Sequence, residues 1–462
     1  MGGEALSRGG MNAWLQWWRR KRLAVLGVGV LLLLASWIFW SLFAPHSDLC
    51  VEAIRKRGYP ASLAELDAWY LSVPPEKNAA LVYTNAFGLL TNSSGLITNF
   101  MGKAWLPAIG QGLSDGERRQ LKTVLADQQP ALRLLYSAPV SGRSRYPLRL
   151  EQGFNMQLPY LEKIRPAVSL LAAEALLHAT DGDAEKAARA FLAAGHVADS
   201  LSEEPIMASQ MVRYAAWGTV LSRLERALSL TAFTGAQLAS LQQVVEAAER
   251  PRAAARALAG EQACGVSFLT EREVMEGLLK QAGNSKNPLD RFGLGFGVSL
   301  LRVSGLLEGD KVFFCREMGR HLTALELPYP ARFAACQQFA ATPNVPKPYY
   351  LLSRGVLPAL ARVHIREAEH VALVRVAAAA LAIERFRLAH TNALPENLQQ
   401  LVPAFCKAVP ADPIDRKPLR YKTHGGSYAV YSIGSDGQDD GGVAWDSNYT
   451  KVPQDVSFVV KH

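Results

Sequence analysis

Three aspartates fall within five positions near the end of the chain: Asp436, Asp439 and Asp440. They follow the β-type run Val430-Tyr431-Ser432-Ile433 and are interleaved with Gly434, Gly437, Gly441 and Gly442. Oxygen ligands bunched this closely, with glycines that allow sharp turns, suit a hard cation such as Ca²⁺. The competing reading is a solvated Asp-Gly turn, where the same residues serve local hydrogen bonds. A second constellation is His364, Glu367 and His370. Its E-x-x-H half occurs in di-iron bundles, but these need a second such pair and two more glutamates, and none appears. The spacing also differs from the zinc-binding H-E-x-x-H. Arg362 and Arg366 stand beside it, so the pattern points to charge pairing along a helix.

Other chemistry is sparse. No G-x-S-x-G elbow offers a serine nucleophile. The cysteines Cys50, Cys264, Cys315, Cys336 and Cys406 form no CxxC pair, which argues against zinc. Cys315 and Cys336 are candidates for a bridge in an oxidising compartment. Gly293, Gly295 and Gly297 form a G-x-G-x-G run without a lysine or a preceding strand, so a nucleotide loop is not expected. His178 and His196 fall on apolar helical stretches and read as packing residues. No catalytic residue is assigned.

The elements that must position these residues are mostly helical. Leu63, Leu66 and Tyr70 recur at helical spacing after Pro60 and Ser62. Pro75 marks the first turn of a further helix, and Ser114 with Glu117 has the form of a capping box. Leu170–Leu201 reads as a helical hairpin turning at Gly182-Asp183, and its pattern resembles one tetratricopeptide unit. Thr234–Arg250 places Leu238, Leu241, Val244 and Val245 on one side. From Pro358, taken as a first-turn proline, no proline or glycine interrupts the chain before His390. Asn392 ends that long helix in a left-handed turn. Two strands follow, Leu419–Thr423 and Ser427–Ser432, around a His424-Gly425-Gly426 turn.

The chain has 462 residues and a net charge of +9, with 49% apolar and 20% charged residues. That fits a folded protein of two or three domains. Its basic clusters, Arg19–Arg22, Arg55–Arg57 and Arg143/Arg145/Arg149, are scattered and lack a nucleic-acid motif, so nucleic acid is not an expected partner. Residues 23–43 carry no charge and match a lipid bilayer in length. Arg19-Arg20-Lys21-Arg22 precede them, which places the N-terminus in the cytoplasm. The apolar run is longer than a signal-peptide core and ends in bulky residues, so an uncleaved anchor is expected.

The stretch Asp412-Pro413-Ile414-Asp415-Arg416-Lys417-Pro418-Leu419-Arg420-Tyr421, taken with Tyr431-Ser432-Ile433-Gly434-Ser435-Asp436-Gly437, resembles a known family. It is similar to the C-terminal head of the major pseudopilin of bacterial type II secretion, and the likeness covers roughly the last quarter of the chain. Arg416 stands where the family usually has glycine or a small polar residue. The resemblance implies that Asp436, with Asp439 or Asp440, binds Ca²⁺, and that Asp455 matches the aspartate closing the family's loop. The chain lacks the family's peptidase site and the glutamate that follows it, which argues against a filament subunit. The segment around Val73–Ala80 is similar to an element of uncharacterised membrane-anchored bacterial proteins, and that likeness implies no activity.

The expected architecture is therefore mainly α. It comprises a cytoplasmic tail (1–22), a transmembrane helix (23–43), an α-helical periplasmic domain (44–355), and a long helix with a small α+β pseudopilin-like head (356–462). The expected role is that of a single-pass inner-membrane protein with a protein partner. An envelope hydrolase with a site assembled from distant residues, or a secretion-system component, is the alternative.

Overall fold

The computed structural model describes residues 47–90, 105–139, 143–268, 306–341, 344–348, 350–442 and 455–462. The anticipated membrane span at 23–43 and the Gly293–Gly297 run lie outside them. No helix among the described residues is long and apolar enough to cross a membrane.

The chain is mainly helical, with a small three-stranded antiparallel sheet at its C-terminal end. The helices are α1 (Ser47–Lys56), α2 (Leu63–Trp69), α3 (Ala79–Leu89), α4 (Asp115–Asp127), α5 (Gln129–Ser137), α6 (Leu161–Thr180) and α7 (Ala184–Asp199). They continue with α8 (Met207–Leu228), α9 (Gly235–Ala247), α10 (Ala253–Phe268), α11 (Leu306–Leu325), α12 (Ala331–Ala341) and α13 (Leu351–Ala389). The strands β1 (Arg420–His424), β2 (Ser427–Ser432) and β3 (Val456–Val460) lie in that order in the sheet. No strand precedes β1 among the described residues.

Local chemistry sets many of these boundaries. Ser114 and Glu117 form a reciprocal capping box on α4, and Thr234 with Gln237 forms another on α9. Asn78 caps α3, so Pro75 opens only a short 3₁₀ turn and the helix proper begins at Ala79. Between α6 and α7 the chain reverses at Gly182, at φ +80°, and Asp183 caps the second helix. Gly425 and Gly426 take φ +55° and +86°, the paired left-handed geometry of a two-residue hairpin turn between β1 and β2.

The long helix α13 spans 39 residues and starts before the expected Pro358, which lies inside it. Its first turn has no cap of its own. The buried Asp310 of α11 supplies one instead, accepting from the amides of Leu352 (3.0 Å) and Ser353 (3.2 Å) and from the Ser353 hydroxyl. The far end closes as expected, with Asn392 at φ +66°, and Thr391 is left-handed too. The first half of α13 packs with α10 and α11 through Leu352, Leu360 and Val363. Its second half, from Val374 to Phe386, enters a larger apolar cluster with α6 to α9 and the sheet residues Tyr428, Val430, Phe458 and Val460. Sheet and helices thus share one core.

The outer edge of β3 faces α8. Glu225 accepts from the amide of Val459 (2.8 Å) and Ser229 from that of Lys461 (3.0 Å). All five cysteines are free. Cys315 and Cys336 are separate buried thiols, so the anticipated bridge does not form.

Candidate functional site

The carboxylate at the centre of the C-terminal region is Asp412, not a member of the glycine-rich loop. Asp412 is fully buried. It accepts from the amides of Ile414 (2.9 Å) and Ile433 (3.1 Å), from the Ser432 hydroxyl (2.8 Å) and from Arg420. Arg420 also binds Asp415, which it holds below the usual carboxylate range against the effect of burial. This node fixes the start of the loop to the Asp-Pro turn. At Arg416, between Asp415 and Lys417, the backbone takes φ +71°.

The loop carboxylates are placed differently. Asp436 accepts from the amide of Gln438 (3.1 Å) and Asp439 from that of Gly441 (2.9 Å), each closing its own turn. Asp455 is buried and accepts from the amide of Gly442 (2.7 Å), with the Asp440 amide also facing its carboxylate, while Oδ1 makes no close hydrogen bond. Burial raises the Asp455 pKa, and the charges of Asp439 and Asp440 push it the same way. Asp439, Asp440 and Asp455 are therefore neighbours, whereas Asp436 is engaged in its own turn. Among the described residues no group of three or more His, Cys, Asp or Glu side chains is placed to hold a metal ion. Residues 443–454, between Gly442 and Asp455, lie outside the described residues.

The H-x-x-E-x-x-H residues of α13 are all buried, and their partners come from other helices. Glu367 pairs with Arg332 of α12 at 2.8 Å, both side chains almost wholly enclosed. The expected pairing with Arg362 or Arg366 does not occur, and Arg366 binds Glu369 at 2.8 Å instead. The reason is register: Arg366 lies on the exposed face of α13 while Glu367 points inward. His364 Nε2 lies 2.8 Å from His321 Nδ1 of α11, with the two rings stacked. His370 stacks on Tyr214 of α8, and its Nε2 donates to the Ala248 carbonyl at 3.1 Å. Burial lowers the pKa of His321 to about 4 and of His364 and His370 to about 3, so all three rings are neutral near pH 7.

His370 and Asp455 meet at one feature. A cleft of about 480 Å³ lies between α8, α13 and the start of β3, with Tyr214, Glu225, Arg226, Glu369, His370 and Asp455 in its walls. Glu369 also accepts from Ser435 of the loop at 3.0 Å. The fold therefore brings Asp455 and His370, two residues singled out in the sequence, to one site. Tyr214, Glu225 and Arg226 were not singled out. They sit on a helix with no distinctive spacing, and only packing against β3 gives them a place in the wall.

No family model matches the chain, and neither a curated protein nor a solved structure is found to be similar to it.

Proposed function

We propose that this is a non-enzymatic, single-pass protein of the bacterial inner membrane. Its helical body holds a pseudopilin-like head in the periplasm and offers the head's loop to a protein partner. One observation carries this reading: the buried carboxylates that receive charged or amide donors are spent on structure. Asp412 ties the loop to its turn, Asp310 caps α13, Glu367 neutralises Arg332, and Asp199 neutralises Arg213 and Arg250. What remains at the surface is a loop fixed at its base, which suits recognition better than turnover. Residues 23–43 supply the anchor, with residues 1–22 in the cytoplasm.

A cation is part of the reading. The Oδ1 of Asp455, which makes no close hydrogen bond, and the like charges of Asp439 and Asp440 beside it, fit a Ca²⁺ ion. Asp436 would join only by releasing Gln438. Bound Ca²⁺ would neutralise the loop and hold it in one shape. The full-length protein is expected to melt higher in Ca²⁺ than in chelator, by about 2.7 kcal/mol at a hundredfold excess over Kd. An unchanged midpoint leaves a solvated turn.

The location and the role are tested together. Alkaline phosphatase fused after His462 is expected to be active, and a silent fusion would overturn the periplasmic assignment. A photo-crosslinker at position 436 is expected to give one discrete protein adduct in cells, lost when Asp412→Ala unfastens the loop. Absence of any adduct at positions 436 and 439 sinks the interaction role. The rival reading is an envelope hydrolase, favoured by a histidine of strongly shifted pKa in a cleft. The shift, however, runs away from the range near 7 that a general base needs. Hydrolytic turnover lost in His370→Ala would favour the hydrolase.

A further inference from the structure

We propose that the cleft between α8, α13 and β3 is a binding site for a ligand with a protonated amine on an apolar body. The inference does not depend on the proposed interaction role or on Ca²⁺.

The hydrogen bonding of the walls points to a donor. The partner of His370 Nε2 is a backbone carbonyl, which can only accept, so the ring proton sits on Nε2. The ring is neutral, and Nδ1 is left with a lone pair and no partner. Ala248 is not part of the cleft wall, whereas His370 is. Asp455 repeats the pattern, with Oδ2 on the Gly442 amide and Oδ1 without a close hydrogen bond. Both side chains are more than nine-tenths buried, His370 at 4% and Asp455 at 9% exposure. A buried acceptor without a donor is unfavourable, and a ligand N–H would relieve it.

Charge points the same way. Glu225, Glu369 and Asp455 contribute three carboxylates to the wall, against the guanidiniums of Arg226 and Arg366. Arg226 is engaged with the carbonyls of Pro107 and Ser222, both at 2.8 Å, and pairs with Glu225 at 3.3 Å, so Asp455 is the wall carboxylate without a guanidinium partner. Arg366 lies at the rim, largely exposed and bound to Glu369. An anion entering the cleft would meet carboxylates, and a cation would gain from them. Leu221, Leu373, Tyr214 and Phe458 supply apolar and aromatic surface for the rest of the ligand. The volume lies within the roughly 300–1,000 Å³ usual for small-molecule sites.

The test uses the full-length protein in detergent, with EDTA present to keep Ca²⁺ away from Asp455. Phenethylammonium and 3-phenylpropionate, similar in size and opposite in charge, are titrated by calorimetry. Saturable binding of the amine, with the carboxylate at least tenfold weaker, is the expected result. Asp455→Asn should weaken the amine about tenfold, and Glu369→Gln, at a part-exposed position, by a smaller factor. Equal binding of the two probes, or amine binding unchanged in both variants, would overturn the proposal. The photo-crosslinking result at position 436 is read separately, so failure here leaves the interaction role standing.

Discussion

Two sets of acids behave in opposite ways in this molecule. Asp412, Asp310 and Glu367 are buried, and each receives charged or amide donors from elsewhere in the chain. Asp436 and Asp439 stand exposed in the glycine-rich loop, and each bonds an amide two residues ahead. The loop is the conspicuous one in sequence because its carboxylates are adjacent. The interior set carries the structure because donors converge on single carboxylates. Crowding of acids marks a place where a charge must be supplied; convergence of donors marks a place where the charge is already matched.

The sharpest way to break that contrast is to remove one acid from each set. Asp412→Ala strands two amides and a hydroxyl and removes one of the two carboxylates on Arg420, and is expected to cost about 3–5 kcal/mol in chemical denaturation. Asp436→Ala, in the absence of Ca²⁺, should stay within about 0.5 kcal/mol. Comparable losses at the two positions would show that the loop is structural after all.

Arg332→Met comes next, at about 3 kcal/mol, because it leaves Glu367 buried without its counter-charge. Combining it with Glu367→Gln should restore much of the loss. A double variant as weak as the sum of the singles would mean that the two groups act independently.

The histidines around Glu367 predict a pH dependence. His321, His364 and His370 are kept neutral by burial, with pKa values lowered to about 4, 3 and 3. The unfolded chain takes up these protons near pH 6.5. Their favourable share is therefore complete above about pH 6.5 and is lost as pH falls toward 4. Each site should contribute a loss of about 1 kcal/mol per pH unit in that window. Glu204 acts with the opposite sign, since burial raises its pKa to about 8 and it costs stability as pH rises from 4.5 through 8. Comparing wild type with His370→Asn at pH 7.5 and 5.5 isolates one histidine. The variant should lose about 1 kcal/mol less on acidification, and identical losses would sink the assignment.

The smallest effect belongs to Arg416. A side chain at φ +71° is strained, and glycine is not. Arg416→Gly should stabilise by up to about 1 kcal/mol, with glycine's greater unfolded-state freedom taking back part of the gain. A loss on substitution would mean that the guanidinium makes a contact worth more than the strain.

Legibility followed the range of the forces involved. The capping box at Ser114, the hairpin at Gly182-Asp183, the turn at Gly425-Gly426 and the left-handed Asn392 all rest on neighbours in sequence, and each was readable. The start of α13 was misread at Pro358 because its cap, Asp310, belongs to another helix. Glu367 was assigned to arginines on its own helix because sequence spacing gives face but not neighbour. The cleft could not be read at all. His370 and Asp455 are far apart in sequence, and the packing of β3 against α13, with α8 closing the far side, brings them to one wall.

That packing also bears on how the protein behaves at high concentration. A small sheet has two margins, and an open margin recruits strands from other molecules into aggregates. Here β3 presents amides already taken by Glu225 and Ser229. The opposite margin, β1, exposes Lys422 and His424, and Lys422 reaches across to the Gly441 carbonyl. One margin is occupied and the other is polar and charged, so the sheet offers little template for strand-to-strand growth even when the protein is crowded.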